Sequence, residues 1–88
     1  MTEKLKFMPY AQAHIVRNPN AVVLVSYRTA VAAIIGGQLV CKGLYSATTR
    51  RHIGAFCKQF STTYQVAKKC FTDKLQYDIV TGVFAPVL

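Results

Sequence analysis

The sequence predicts an α+β fold: an antiparallel β-meander of three to four strands with two helices packed on one face. Short apolar runs rich in β-branched residues fill residues 21–44 and are separated by turn-forming residues. Two segments with helical periodicity follow between residues 47 and 75, before a last β-rich segment. The chain has 88 residues, 52% of them hydrophobic, which suffices for one core. Residues 1–88 are therefore interpreted as a single domain.

The first part of the chain has the weakest pattern. Residues 1–20 mix Lys, Pro, Asn and apolar residues without a sustained period, and we interpret them as an irregular arm or a short strand around Leu5. Pro9 disfavours a helix up to Tyr10, whereas residues 11–16 are predicted to form one or two helical turns. The Asn-Pro-Asn sequence at 18–20 then breaks any regular element.

The next segments predict the central strands. Residues 21–27, A-V-V-L-V-S-Y, are typical of a buried strand and are followed by a tight turn. Residues 30–35 fit either a strand or a helix, because their periodicity favours neither. Gly36 and Gly37 favour the strand, since glycine readily adopts the positive φ of a two-residue hairpin turn. Residues 38–44 are then expected to return antiparallel.

The clearest amphipathic helix is predicted to begin at residue 47 or 48. Ser46 or, failing that, Thr48 is expected to cap it, because a hydroxyl there accepts a hydrogen bond from a free amide of the first turn. The predicted core face repeats at i, i+3, i+4 and i+7 and consists of Ile53, Phe56, Cys57 and Phe60.

A second helix is predicted after the hydroxyl-rich residues 61–63, with Thr63 as its cap. A single bent helix over residues 48–75 is the alternative. Residues 77–84 alternate in polarity and predict the last strand, which Gly82 weakens or marks with a bulge and which Pro86 ends.

The charge balance indicates the kind of partner. Eleven Lys and Arg residues against three Asp and Glu give a net charge of +8, which attracts nucleic acid, anionic membranes or acidic protein surfaces. The longest apolar stretch, residues 21–35, is interrupted and is shorter than the roughly 20 residues of a membrane helix. We expect no membrane span, no secretory signal and a cytoplasmic location.

The inventory of reactive side chains is small. Three carboxylates and two histidines leave few acids and bases, so we predict that the protein is not an enzyme. Cys41, Cys57 and Cys70 are odd in number and widely spaced, which is typical of reduced, buried thiols. His52 and Cys57 fall on different faces of the predicted helix, so neither a zinc site nor a nucleophile pair is expected. No cofactor is predicted.

Arg50 and Arg51 follow the predicted cap, at the positive end of a helix, where each cation costs about 0.3–1 kcal/mol. No acidic residue lies nearby in the sequence. The arginines could simply be solvated at an exposed helix end. We predict instead that an external anion neutralises them. The predicted nucleic-acid or anion-binding residues are Thr48, Thr49, Arg50, Arg51, His52, Lys58, Lys68 and Lys69, with Tyr45 or Tyr64 available to stack on bases.

Two short motifs resemble a known pattern. Residues 26–32, S-Y-R-T-A-V-A, and residues 43–53, G-L-Y-S-A-T-T-R-R-H-I, resemble small bacteriophage-encoded proteins of unknown function. In these, a Ser-Tyr-x-Thr strand turn precedes a Tyr-Ser-x-Thr-Thr-x-Arg-His helix start. The resemblance supplies no activity and no catalytic residues. It implies an accessory protein that acts in the cytoplasm of a bacterial host.

Three functions are consistent with these observations. The first is non-specific nucleic-acid binding through phosphate contacts at a helix N-terminus. The alternative is a small phage inhibitor that binds a host protein such as a defence nuclease, and the third is a structural virion component. The apolar strands also predict a homodimer formed through a sheet edge.

Overall fold

The structure, a computed structural model, describes residues 2–44 and 46–87. One antiparallel sheet contains seven strands whose spatial order follows the sequence. Two helices lie between the fifth and sixth strands in the chain. The elements are β1 (Thr2–Lys4), β2 (Ala13–Asn18), β3 (Ala21–Ser26), β4 (Thr29–Ile35), β5 (Gln38–Cys41), α1 (Ala47–Gln59), α2 (Tyr64–Asp73), β6 (Leu75–Asp78) and β7 (Phe84–Pro86). The predicted α+β class is confirmed, whereas the prediction of three to four strands was wrong.

The additional strands come from both ends of the chain. Residues 2–18 contain β1 and β2, so the helical turns predicted at 11–16 are absent from this described segment. β2 pairs with β1 on one side and with β3 on the other, and this backbone pairing outweighs its weak local pattern. The single strand predicted at 77–84 is divided into β6 and β7 by a turn in which Gly82 has a φ of +73°.

One face of the sheet carries the core. Ile15, Leu24, Ala32 and Cys41 lie directly opposite one another across β2, β3, β4 and β5, and all four are buried. The two helices pack on this face. α1 contacts β3 and β4, and α2 contacts β5 and β6. The prediction that both helices pack on one face of an antiparallel sheet is therefore confirmed.

The predicted helix starts and core face are confirmed. Ser46 caps α1 by accepting a hydrogen bond from the Thr49 amide, and Thr63 caps α2 in the same way through the Val66 amide. Ser61 has a φ of +63° between the helices, which excludes a continuous bent helix. The inward residues of α1 are Ile53, Phe56 and Cys57, all fully buried, with Phe60 packed against them.

The opposite face of the sheet is apolar in its centre. Val16, Val23, Ala33 and Val40 form a second row of directly opposed residues, one position removed from the core row. Alternation along each strand turns them away from the helices, and none belongs to the core cluster. We call these four residues the outer row.

Both edge strands of the sheet are short. β1 and β7 have three residues each, and β7 includes Pro86, which cannot donate to a neighbouring strand. Short edge strands and edge prolines disfavour pairing with another chain. The homodimer through a sheet edge stays a prediction that these edges do not favour.

Candidate nucleic-acid interface at the start of α1

A buried hydrogen-bond network ties the end of β3 to the first turns of α1. The Ser26 hydroxyl lies 2.8 Å from Nδ1 of His52 and 3.3 Å from the Thr49 hydroxyl. Ser46, the α1 cap, donates to the same Thr49 hydroxyl over 3.3 Å. The two motifs noted in the sequence therefore meet in space, because Ser26 belongs to one and the other three residues belong to the second. The network holds the β3–β4 turn against the start of α1.

The β3–β4 turn adds an aromatic ring and a cation to this region. Tyr27 has a φ of +57°, and its ring centroid lies 5.8 Å from that of His52. A left-handed conformation costs a residue with a side chain about 1–2 kcal/mol. The Tyr27 side chain is 54% exposed in this conformation. Arg28 follows Tyr27 directly, is also exposed, and belongs to the same turn.

The arginines of this region have no acidic neighbour among the described residues. Arg50 and Arg51 are exposed on α1, and the first turn of that helix contains no acidic residue. No described carboxylate lies within 4.0 Å of these two guanidinium groups or that of Arg28. Ion pairs instead join Arg17 to Glu3 and Lys69 to Asp73. We define the cationic surface as Tyr27, Arg28, Thr48, Arg50 and Arg51.

The structure brings together only some of the predicted site residues. Thr48, Arg50 and Arg51 lie together and are exposed, whereas Thr49 and His52 are buried in the network and do not present their side chains to solvent. The remaining predicted cations lie elsewhere on the two helices and are Lys58, Lys68 and Lys69.

Lys58 lies eight residues beyond Arg50, about 12 Å farther along the helix axis. Its ammonium sits 4.5 Å from the centre of the Phe7 ring. Lys69 pairs with Asp73 over 3.2 Å, so its charge is partly compensated. Lys58 and Lys69 therefore have contacts of their own, and the extension of the patch along α1 and across α2 stays a prediction.

Sequence reasoning missed Tyr27 and Arg28 as members of the surface. The only signal for them was the S-Y-R-T motif, which indicated a strand turn and gave no contact with α1. Of the tyrosines predicted to stack on bases, Tyr45 lies outside the described residues, and Tyr64 is half-buried against the core. Tyr27 is the exposed aromatic at the cationic surface.

The buried titratable groups of the molecule are neutral. Burial lowers the pKa of His52 from its ordinary value, so the imidazole is uncharged at neutral pH. Burial, together with the nearby Cys41 and Cys70, raises the pKa of Cys57 to about 12, so the thiol is not ionised. All three cysteines are free and buried. Within residues 2–44 and 46–87, no three His, Cys, Asp or Glu side chains form a cluster able to hold a metal ion.

Fold and surface together define a small α+β protein in which a seven-stranded antiparallel sheet carries a helix pair on one face and a cationic surface at the first helix. The chain belongs to a family of unknown function, DUF8033, which matches residues 2–74. The matched residues include β1–β5, both helices and the cationic surface. No curated protein and no solved structure matches the chain. No helix in the described part is long and apolar enough to span a membrane.

Proposed function

We propose that this protein is a non-enzymatic, phage-type accessory protein that binds nucleic acid by contacting phosphates at its cationic surface. The observation that carries the proposal is that Arg50 and Arg51, exposed near the start of α1, and Arg28, in the turn whose Tyr27 contacts His52, have no acidic partner among the described residues. A partner that supplies negative charge offsets both their mutual repulsion and their unfavourable position near the positive helix end.

The chemistry of the surface suits phosphate groups. A guanidinium presents a planar set of N–H donors that matches two phosphate oxygens at once. The exposed Thr48 hydroxyl and the first amides of α1 add neutral donors that point out of the helix end. The cationic surface contains no carboxylate that could accept a hydrogen bond from the edge of a base. We therefore propose binding that reads the phosphate backbone rather than the base sequence.

Tyr27 affects whether a single strand or a duplex would bind more tightly. Its half-exposed ring lies beside His52, the residue that follows Arg51, and an unpaired base could stack on it. Stacking on an aromatic residue contributes roughly 1–3 kcal/mol per base and requires an accessible base face. Because duplex bases are already stacked on one another, we propose that single strands bind more tightly than duplexes of the same length.

The proposal predicts a specific change in salt dependence. Each phosphate contact contributes about 0.7–0.9 to the slope of log affinity against log salt. Arg50→Ala combined with Arg51→Ala should therefore reduce the slope by about 1.4–1.8 units. Fluorescence anisotropy with a random single strand and a random duplex, over a series of salt concentrations, measures this slope.

The matched control is Lys4→Ala combined with Lys6→Ala. It removes the same total charge from two exposed residues at the start of the chain, and the Lys6 amide donates to Gln59 at the opposite end of α1 from the arginines. If the proposal is correct, this control leaves the slope nearly unchanged. Equal losses in both double variants would instead indicate a diffuse charge effect. No binding to either nucleic acid at about 50 mM salt would contradict the proposal outright.

A second candidate function is supported by the outer row. Val16, Val23 and Val40 of this row are partly exposed, and Ala33 between them is buried. A row of directly opposed apolar residues on the sheet face away from the helices suits contact with another protein. The alternative proposal is a small phage inhibitor that binds a host protein, such as a defence nuclease, through this face. The cationic surface would then steer the encounter with an acidic partner.

Val23→Thr combined with Val40→Thr tests this alternative, because threonine keeps the shape and strand preference of valine and adds a hydroxyl. If the outer row binds a host protein, the double variant should lose the partner that the unmodified protein retains from a nuclease-treated bacterial lysate. Arg50→Ala with Arg51→Ala is the control and should still retain it. Retention by the threonine variant would exclude the outer row as the interface.

A further inference from the structure

A cleft opens where β5 and β6 diverge. The two strands pair only at Gln38 with Asp78 and at Leu39 with Tyr77. Beyond Leu39 the two strands are no longer paired, and Cys70 and Phe71 near the end of α2 line the cleft together with residues of both. The cleft has a volume of about 410 Å³, within the range of roughly 300–1,000 Å³ typical of small-molecule sites.

The walls of the cleft are mostly apolar. Val40, Phe71, Leu75 and Val87 line it, and Phe71 and Val87 are 42% and 46% exposed at its opening. Such partly exposed apolar side chains gain from contact with an apolar ligand, because the contact removes their surface from water. The cleft therefore suits an aliphatic chain.

Two buried thiols complete the inner wall. Cys41 and Cys70 line the cleft and are 7% and 2% exposed. Burial, with the nearby Cys41, raises the pKa of Cys70 to about 11, and its thiol donates weakly to the Leu39 carbonyl over 3.8 Å. A neutral thiol behaves as a small apolar group. The inner wall therefore repels charge and accepts hydrocarbon.

The charged residues that line the cleft are both cations, Lys42 and Lys74. Both are exposed, and no carboxylate of the described residues lies within 4.0 Å of either ammonium. Asp73, the neighbour of Lys74, pairs with Lys69 instead. An apolar cleft bounded by two uncompensated cations complements a molecule with one anionic end and one apolar chain.

Lys74 occupies a backbone position that usually selects a different residue. It is the C-cap of α2, with φ +56° and ψ +51°. Glycine is the common residue in this conformation, because a Cβ makes it unfavourable. Lys74 therefore keeps an ammonium at the edge of the cleft in a conformation that glycine would adopt with less strain.

We propose that this cleft binds an alkyl carboxylate, with the chain against the apolar walls and the carboxylate between Lys42 and Lys74. The cleft lies at the β5–β6 divergence and includes no residue of the cationic surface, so this inference does not depend on nucleic-acid binding. The carboxylate accepts hydrogen bonds from both ammonium groups, while the chain contacts the side chains of Phe71, Leu75 and Val87.

Octanoate is the probe, and two related molecules separate its two features. Acetate has the charge without the chain, and octan-1-ol has the chain without the charge. In a ¹H–¹⁵N NMR titration, octanoate should shift the amide signals of residues 40–42 and 70–75 saturably. Octan-1-ol should bind about fivefold or more weakly, because it lacks the charge-assisted hydrogen bonds, and acetate should cause no saturable shift.

Lys74→Gly distinguishes a ligand-binding role from a structural one. It removes the ammonium and also relieves the left-handed backbone, so the variant should melt at a higher temperature than the unmodified protein and bind octanoate about fivefold more weakly. Lys68→Gly on the exposed face of α2 is the control, and it should lower the melting temperature without changing octanoate affinity. Unchanged octanoate affinity in Lys74→Gly, equal affinity for octanoate and octan-1-ol, or no saturable shift would each overturn the proposal.

Discussion

Phe56→Ala should lower the free energy of unfolding by about 3–5 kcal/mol, a large part of the roughly 5–15 kcal/mol that stabilises a typical protein. Phe56 is fully buried at the centre of the α1 face, and its ring centroid lies 5.0 Å from that of Phe60. Truncation removes buried apolar contacts and leaves a cavity between helix and sheet. For a domain of this size, the midpoint of thermal unfolding should fall by at least about 12 °C. Circular dichroism during heating measures it.

Tyr10→Ala is the control for the loss of an aromatic ring. Tyr10 is 96% exposed, so its truncation should change the free energy of unfolding by less than about 0.5 kcal/mol. The comparison separates burial from aromatic content, because both substitutions remove a ring of similar size. A Phe56→Ala protein that melts within about 2 °C of the unmodified protein would show that the inward face of α1 is assigned incorrectly.

Arg50→Glu should hold or raise the stability of the protein while weakening nucleic-acid binding by about tenfold or more at low salt. Arg50 lies in the first turn of α1, where a carboxylate is favoured by the helix dipole and a guanidinium is not. The expected gain in stability is up to about 1 kcal/mol. Binding weakens because a phosphate contact is lost and a repelling charge takes its place. Urea unfolding and anisotropy titrations measure the two effects separately.

Lys4→Glu gives the same change in net charge at an exposed residue of β1, far from a helix end. Lys4→Glu should not raise the stability of the protein, and it should weaken nucleic-acid binding less than Arg50→Glu does. A clear loss of stability in Arg50→Glu would show that the guanidinium has a structural partner. Equal binding losses in the two variants would show that net charge, rather than the cationic surface, governs affinity.

The residues of the candidate site that the sequence predicted correctly as neighbours are those whose positions depend on local chemistry. Ser46 was identified as a cap because a hydroxyl before a helix accepts from the first free amides, and the Thr49 amide donates to it over 3.1 Å. Arg50 and Arg51 were identified because their charge opposes the helix dipole. Both arguments use residues within one helical turn of each other, so no tertiary contact was needed to make them.

The unpredicted part of the site depends on contacts between distant segments. Ser26 and His52 are 26 residues apart, yet their side chains lie 2.8 Å apart. This contact buries His52 and Thr49, which were predicted to face an anion, and it places Tyr27 and Arg28 beside α1. A hydroxyl near a helix start has the same local pattern whether it faces solvent or a neighbouring strand. Only the packing of β3 against α1 decides between them.

The same division holds for the fold. The helix starts, the inward face of α1 and the turn at Gly36 and Gly37 follow from local sequence, because capping, helical spacing and positive φ act within a few residues. The strands β1, β2, β6 and β7 and the contact of Tyr27 with His52 appear only in the folded molecule. A short strand is stabilised by hydrogen bonds to the strand beside it and by packing on the core, and neither is visible in the few residues of the strand itself.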